Sequence, residues 1–93
     1  MLHKFKKPVK WEGQEVKEIE LNLENINAKK SFEVDRRFKQ ENPEFIGIPI
    51  FENQYVIMLA QSVSDKPLEF FESLSISEMY TLVAGVRNFL DHG

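Results

Sequence analysis

The chain has 93 residues, a formal net charge of -3 and 42% hydrophobic residues, which is typical of one globular domain. This mild acidic balance gives no overall attraction to nucleic acid or to anionic membranes. Cysteine is absent, which excludes a disulfide framework, a thiolate nucleophile and a cysteine-ligated zinc site. No apolar run approaches the roughly 18–20 residues of a membrane span, and the lysine-bearing N-terminus lacks a signal peptide's apolar segment, so we expect a cytoplasmic protein.

Residues 3–23 have the pattern of a β-hairpin with a glycine-containing turn at residues 12–14. The apolar positions that should share one face are Ile19, Leu21 and Leu23 on the return strand and Phe5, Val9 and Trp11 on the first. Pro8 cannot donate a ladder hydrogen bond, so we expect it at a sheet edge or beside an irregularity. A two-stranded ribbon is marginal alone and needs helices against its apolar face.

Asn27 is the predicted cap of a helix from Ala28 to Glu41, which Pro43 ends by disfavouring helical geometry in the residue before it. The stripe of this helix is thin and patchy and consists of Phe32, Val34, Asp35 and Phe38. Residues 44–51, called the connector below, are apolar but contain Gly47 and Pro49. We interpret the connector as a packed loop or a short extended piece.

Asn53 opens a predicted helix over residues 54–63 that is apolar on most sides, as expected of a central helix or an oligomer contact. A short helix over residues 67–73 follows, begun by Pro67 and carrying two adjacent aromatic residues, Phe70 and Phe71.

Ser75 begins the last helix, which runs to Leu90, and a capping box with Glu78 is expected there. Its apolar stripe consists of Met79, Leu82, Val83, Val86, Phe89 and Leu90, widened by Ile76 and Tyr80. The predicted fold is α+β, a single domain over residues 1–93 in which the hairpin packs on three to four helices spanning residues 27–90.

Residues capable of catalysis are scarce. His3 and His92 lie near opposite ends, with no spacing that would place two metal ligands together. Carboxylate pairs such as Glu18 with Glu20 fall on predicted solvated faces, where no apolar pocket would raise a pKa. We therefore expect no enzyme, no metal site and no cofactor.

A basic cluster near the N-terminus admits two interpretations. It consists of Lys4, Lys6, Lys7 and Lys10, interleaved with Phe5 and Trp11. We prefer a lysine-protected edge strand with its aromatics facing the core, because the paired strand is acidic. The alternative is a small nucleic-acid-binding regulatory protein that uses these lysines together with Arg36 and Arg37.

Apolar side chains are more numerous between residues 46 and 63 than one helix face can bury. A core explains most of them, and an exposed patch for a partner or a second subunit is the alternative. The residues predicted to bind a partner are Tyr55, Met58, Leu59, Phe70 and Phe71.

The order of these pieces resembles the small tail assembly chaperones of long-tailed bacteriophages, of the Mu-like type. The segments that carry the resemblance are Lys7-Pro8-Val9, Trp11-Glu12-Gly13, Ile19-Glu20-Leu21-Asn22-Leu23, Leu74-Ser75-Ile76-Ser77-Glu78-Met79 and Val86-Arg87-Asn88-Phe89-Leu90. The likeness spans nearly the whole chain and depends on order and spacing, because each segment alone is common.

The resemblance implies a non-enzymatic chaperone, encoded by a phage or prophage, that acts in the host cytoplasm and is absent from the mature virion. Such proteins bind the tape measure protein and keep it soluble until tail tube subunits polymerise around it. The resemblance also implies self-association along a long client, and no membrane or cofactor. A second, longer form made by translational frameshifting is common in the family.

Overall fold

The computed structural model describes residues 1–92 and has an antiparallel two-stranded hairpin followed by four α-helices, which confirms the α+β prediction. The strands are β1, Leu2–Trp11, and β2, Gln14–Glu20. The helices are α1, Ala28–Glu41, α2, Asn53–Ser62, α3, Leu68–Glu72, and α4, Ile76–His92. Two short 3-10 turns, Leu23–Asn25 and Pro49–Phe51, lie in the connections before α1 and before α2.

The hairpin turn is formed by Glu12 and Gly13, both of which have positive φ, 50° and 78° respectively. Two consecutive positive φ angles give the turn whose twist matches that of paired strands, and glycine adopts such a φ without strain. The glycine-containing turn predicted at residues 12–14 is therefore confirmed.

The middle of β1 departs from regular pairing. Lys4 lies opposite Glu18 and Val9 lies opposite Val16, so residues 5–8 of β1 face a single residue of β2. Pro8 falls within this irregular stretch, as predicted, because its missing N–H has no ladder bond to make there. The irregularity also releases backbone N–H groups of β1 from the ladder.

α1 has the predicted bounds, and the side chain of Asn27 caps it by accepting a hydrogen bond from the Lys30 backbone N–H at 2.9 Å. Val34 and Phe38 are buried, but Phe32 is 61% exposed, so the prediction that Phe32 belongs to the buried stripe is wrong. Phe32 lies two positions from Val34, which places it about 200° away around the helix.

α2 is the central helix, as expected from its apolar character. Every residue from Tyr55 to Ala60 is buried. Tyr55, Met58 and Leu59 pack against Val34 and Phe38 of α1. The other side of α2 contributes Val56, Ile57 and Ala60 to a second cluster formed with the hairpin, α3 and α4.

α4 buries Leu82, Val83 and Val86 of its predicted stripe. Ile76 and Tyr80 are 68% and 54% exposed, so the prediction that they widen the buried face is wrong. At 100° per residue, Ile76 and Tyr80 lie about 80° and 120° around the helix from Val86, outside the buried face. Half of the expected capping box forms, because the Ser75 hydroxyl accepts from the Glu78 backbone N–H at 3.2 Å.

Candidate binding surfaces

The residues predicted to bind a partner lie in the core. They are Tyr55, Met58, Leu59, Phe70 and Phe71, and none is more than 5% exposed. The expectation that these side chains form an exposed surface is therefore wrong. The physical reason is that α1 covers one side of α2 while the hairpin, α3 and α4 cover the other, so a helix that is apolar on most sides is buried on most sides.

Phe70 is the centre of an aromatic cluster that joins the hairpin to the helices. Its ring lies 5.9 Å from that of Phe5, 5.7 Å from that of Trp11 and 5.4 Å from that of Phe71, measured between centroids. Phe70 of α3 therefore covers part of the apolar face of the hairpin, which by itself needs a helical partner.

The connector carries four of the large apolar side chains that the fold leaves exposed, all within residues 46–51. Ile46 is 96% exposed and Phe51 is 71% exposed, and Ile48 and Ile50 also face solvent. Phe45 alone packs edge-on against a core ring, that of Phe38, at 5.0 Å between centroids. The interpretation of the connector as a packed loop is therefore wrong for its isoleucines, which project from a segment anchored through Phe45.

Hydrogen bonds between side chains hold the two ends of the connector together. The Asn42 side-chain amide donates to the Phe38 carbonyl at 2.9 Å and to the Gln54 side-chain oxygen at 3.0 Å. The Gln54 amide in turn donates to the Glu41 carboxylate at 3.1 Å. These bonds tie the end of α1 to the start of α2, so the two ends of the connector are held close together.

A second exposed apolar surface is a groove of about 390 Å³ between α2, α3 and α4, called the α2–α4 groove below. Its walls include Asn53, Ile57, Phe71, Glu72, Leu74, Ile76 and Met79. Of the residues predicted to bind a partner, Phe71 thus lies in the groove wall, although only 2% of it is exposed. The exposed Ile76 side chain stands at its edge, and Glu72 provides a carboxylate. The groove is thus apolar with an acidic border.

Charge is unevenly distributed along the chain. Residues 40–86 contain seven acidic residues and a single basic one, Lys66, whereas residues 1–39 contain ten basic and seven acidic residues. The connector and the α2–α4 groove both belong to the acidic part. The hairpin and nearly all of α1 belong to the basic part.

The N-terminal lysines do not form a base-stacking site. Phe5 is buried and Trp11 packs edge-on against Phe70, so both aromatics face the core. In the strand register Lys4 lies opposite Glu18 and Lys10 opposite Glu15. This geometry favours the lysine-protected edge strand over the nucleic-acid alternative, because stacking requires exposed aromatic rings.

Glu78 joins the first turn of α4 to the irregular stretch of β1. Its carboxylate accepts hydrogen bonds from the backbone N–H groups of Lys6, at 3.2 Å, and Lys7, at 3.1 Å. The prediction that this carboxylate returns to the Ser75 N–H is therefore wrong. Both N–H groups are free because residues 5–8 leave the ladder, and a carboxylate at a helix N-terminus is a strong acceptor for them.

The electrostatics around Glu78 favour its charged form. Burial raises the pKa of Glu78, but the N–H groups of Lys7 and Lys6 and the charges of Lys6 and His3 lower it by more, so it lies below its ordinary value. His3 is buried beside it, with its ring edge-on to Phe5 at 5.2 Å and its Nε2 without a hydrogen-bond partner. Burial lowers the pKa of His3 below its ordinary 6.5, although Glu78 opposes this.

We expect the free energy of unfolding to decrease on acidification, in part through His3. The pKa of His3 is lower in the folded chain than its ordinary 6.5, so the unfolded chain takes up the proton first. Stability is therefore lost as the pH falls through 6.5 toward the folded pKa. Urea unfolding at pH 7.5 and pH 5 should show a smaller decrease for His3→Phe than for the unsubstituted chain.

His92→Gln is the matched control, since His92 is exposed at the end of α4. It should show the same pH dependence as the unsubstituted chain. Equal pH dependence in the His3→Phe variant and the unsubstituted chain would contradict a role for His3.

Within residues 1–92, no group of three or more histidine, aspartate or glutamate side chains is placed to hold a metal ion, and no helix is long and apolar enough to cross a membrane. A cavity of about 540 Å³ lies between the hairpin and residues 62–66. Its lining is polar and includes Glu18, Glu20 and Lys66. None of the residues predicted to bind a partner reaches it.

Comparison with protein-family models, with curated proteins and with solved structures gives no match to this chain. The resemblance to tail assembly chaperones therefore stays a prediction. The connector and the α2–α4 groove are the surfaces on which a binding function can be based.

Proposed function

We propose that this chain is a non-enzymatic phage tail assembly chaperone, which binds a tape measure protein, keeps it soluble and helps to recruit tail tube subunits. The observation that supports this proposal most is the connector. It exposes Ile46, Ile48, Ile50 and Phe51 within six residues of one another. Clustered exposed apolar side chains are typical of protein-binding surfaces.

The chemistry of this surface suits a helical client. A long amphipathic helix has an apolar stripe that associates with other stripes when nothing covers it. The connector offers branched aliphatic side chains and one aromatic ring, which can lie along such a stripe and remove it from water. Because the connector ends are already tied together by Asn42 and Gln54, binding need not pay for bringing them together.

The small size of the connector suits a chaperone that is later displaced. A few exposed side chains give a weak contact that dissociates readily, since affinity among related complexes is set mainly by the dissociation rate. Many such contacts along one client still hold it firmly, because each bound copy covers a separate part of the stripe. Tube subunits that polymerise around the client can then replace the copies one by one.

Co-expression tests the proposal. The chain should raise the soluble fraction of the tape measure protein encoded by the same phage and should co-purify with it. The Ile46→Ser, Ile48→Ser double variant should lose most of this effect, because it removes apolar contact area without adding charge. Its own stability should change by no more than about 0.5 kcal/mol, since both side chains are exposed.

Leu2→Ser is the matched control, because Leu2 is also an exposed aliphatic residue but lies on β1. It should solubilise the client as well as the unsubstituted chain does. If the unsubstituted chain neither solubilises nor binds the client, the proposed function is wrong. If the unsubstituted chain solubilises the client and the double variant does so equally well, the proposed function holds, but the connector is not the binding surface.

A further inference from the structure

We infer that copies of this chain associate head to tail, with the exposed face of α1 on one copy docked into the α2–α4 groove of the next. The two surfaces are both apolar at their centres and opposite in charge at their edges. This inference concerns contacts between copies and does not depend on the identity of a client.

The outer face of α1 is an aromatic side chain bordered by basic ones. Phe32 is 61% exposed. Lys29 and Arg36 lie three positions before it and four positions after it, so they flank it on the same side of the helix. Both are exposed, and within residues 1–92 neither forms a salt bridge. Asp35, three positions after Phe32, lies about 60° from it around the helix and pairs with Lys39 at 3.0 Å, whereas Glu33 lies about 100° away. The carboxylate nearest to Phe32 around α1 is therefore already paired within the helix.

The α2–α4 groove has the complementary character. Ile57, Leu74 and Met79 line it, and the exposed Ile76 extends the apolar surface at its edge. Its volume of about 390 Å³ gives room for a phenylalanine side chain.

Acidic side chains border the groove. Glu72 lies in the groove wall, and Glu69 is exposed one turn earlier on α3. The basic residue Arg87 reaches the far wall, where it donates to the Asn53 side chain at 3.4 Å. Lys29 and Arg36 of a second copy would thus meet Glu69 and Glu72, while Phe32 enters the groove.

A single copy cannot bring these two surfaces together. α1 packs on α2 through Val34 and Phe38, so Phe32 points away from α2. The groove contains Ile57, which belongs to the opposite side of α2 from the residues that contact α1. When two copies join, one face therefore stays free at each end. Such a heterologous contact adds further copies and forms an open chain unless its rotation closes a ring.

Charge also decides between this contact and a symmetric dimer. Joining two grooves would set Glu69 and Glu72 of each copy against the same carboxylates of the other. Joining two α1 faces would oppose Lys29 and Arg36 in the same way. Like charges facing each other disfavour both symmetric arrangements, whereas the head-to-tail contact pairs opposite charges.

Sedimentation velocity at increasing protein concentration and low salt measures this association. The weight-average mass should rise above the 10.9 kDa of one chain and should fall again when salt is added. Phe32→Glu and Ile76→Glu should each stay monomeric, because each places a carboxylate in the contact. Ile46→Ser, which changes the connector, should associate like the unsubstituted chain.

A mixture of the two monomeric variants gives the decisive result. Phe32→Glu keeps a competent groove, and Ile76→Glu keeps a competent α1 face. Equal amounts should therefore form a complex of about twice the mass of one chain and nothing larger, since each pair contains a single intact contact. Circular dichroism of each variant verifies that both fold.

Charge reversal provides a second, independent variant. Lys29→Glu with Arg36→Glu should abolish association, and so should Glu69→Lys with Glu72→Lys. The chain that carries all four substitutions should associate again, because the opposite charges are restored with their signs exchanged. All four side chains are exposed, so the fold should tolerate their replacement.

The inference is overturned if the unsubstituted chain is monomeric at low salt and high concentration, or if the mixture of Phe32→Glu and Ile76→Glu stays monomeric. Continued dimerisation of Phe32→Glu alone overturns it as well, because that result indicates a symmetric groove contact. A monomeric chain that still solubilises a tape measure protein would leave the proposed function intact, so the two failures are distinguishable.

Discussion

Replacing Phe70 by alanine should lower the free energy of unfolding by about 3–5 kcal/mol, because the substitution removes a fully buried aromatic ring and leaves a cavity. The lost ring contacts the rings of Phe5, Trp11 and Phe71, which come from β1 and α3. The cavity would therefore open where the hairpin meets the helices.

The effect is large relative to what a domain of this size can lose. Small domains have free energies of unfolding of roughly 5–15 kcal/mol in total, so Phe70→Ala should bring the chain near the limit of folding. Phe70→Asp together with Phe71→Asp should unfold it, since two carboxylates would have to be buried without partners. Urea unfolding followed by circular dichroism measures the first variant, and loss of the helical signal in water identifies the second.

Phe32→Ala is the matched control, because it removes the same side chain from an exposed position. Measured at low protein concentration, where copies are apart, it should change the free energy of unfolding by no more than about 0.5 kcal/mol. Equal urea midpoints for Phe70→Ala and the unsubstituted chain would show that the aromatic cluster does not stabilise the fold.

Much of the fold could be predicted because its signals are local. The bounds of α1 follow from the Asn27 cap and from Pro43, which act on neighbouring residues. The turn at Glu12 and Gly13 depends on backbone angles that glycine accommodates without strain. Such features depend on interactions within a few residues of the chain, so the sequence is enough to predict them.

The location of the exposed apolar surface could not be predicted in the same way. Phe70 and Ile46 are both apolar residues in short segments, and nothing in their neighbours shows that one is buried and the other is exposed. The difference arises because the hairpin lies over α3, whereas no element lies over the connector. The prediction that Phe32 is buried was wrong for a related reason. The apolar stripe of α1 is too thin to define one buried face, so packing against α2 decides which face is buried.

For Glu78, the local sequence pattern predicted the position of the carboxylate correctly but predicted the wrong hydrogen-bond donors. The capping-box spacing from Ser75 placed a carboxylate at the start of α4, where it is found. The carboxylate instead bonds to Lys6 and Lys7, about seventy residues away in sequence, because irregular pairing in β1 leaves their N–H groups free. The sequence signal for that irregularity was Pro8, but Pro8 does not specify which acceptor the freed groups meet.

Replacing Glu78 by alanine should therefore lower the free energy of unfolding by about 2–3 kcal/mol, since two charge-assisted hydrogen bonds are lost and two backbone N–H groups lose their acceptor. Glu78→Gln keeps one acceptor oxygen and should lose about half as much. Glu33→Ala, which removes an exposed glutamate from α1, is the control and should be nearly neutral.

Acid unfolding and amide hydrogen exchange test this prediction most directly. The pKa of Glu78 lies below its ordinary 4.5 in the folded chain, so its contribution is present above that value and is lost as the pH falls through the folded pKa. Glu78→Gln should remove this part of the acid sensitivity. In the same variant the amide protons of Lys6 and Lys7 should exchange faster, while those of the regular pairs at Val9 and Val16 change less. Unchanged exchange at Lys6 and Lys7 would show that the contact between α4 and β1 does not depend on the Glu78 carboxylate.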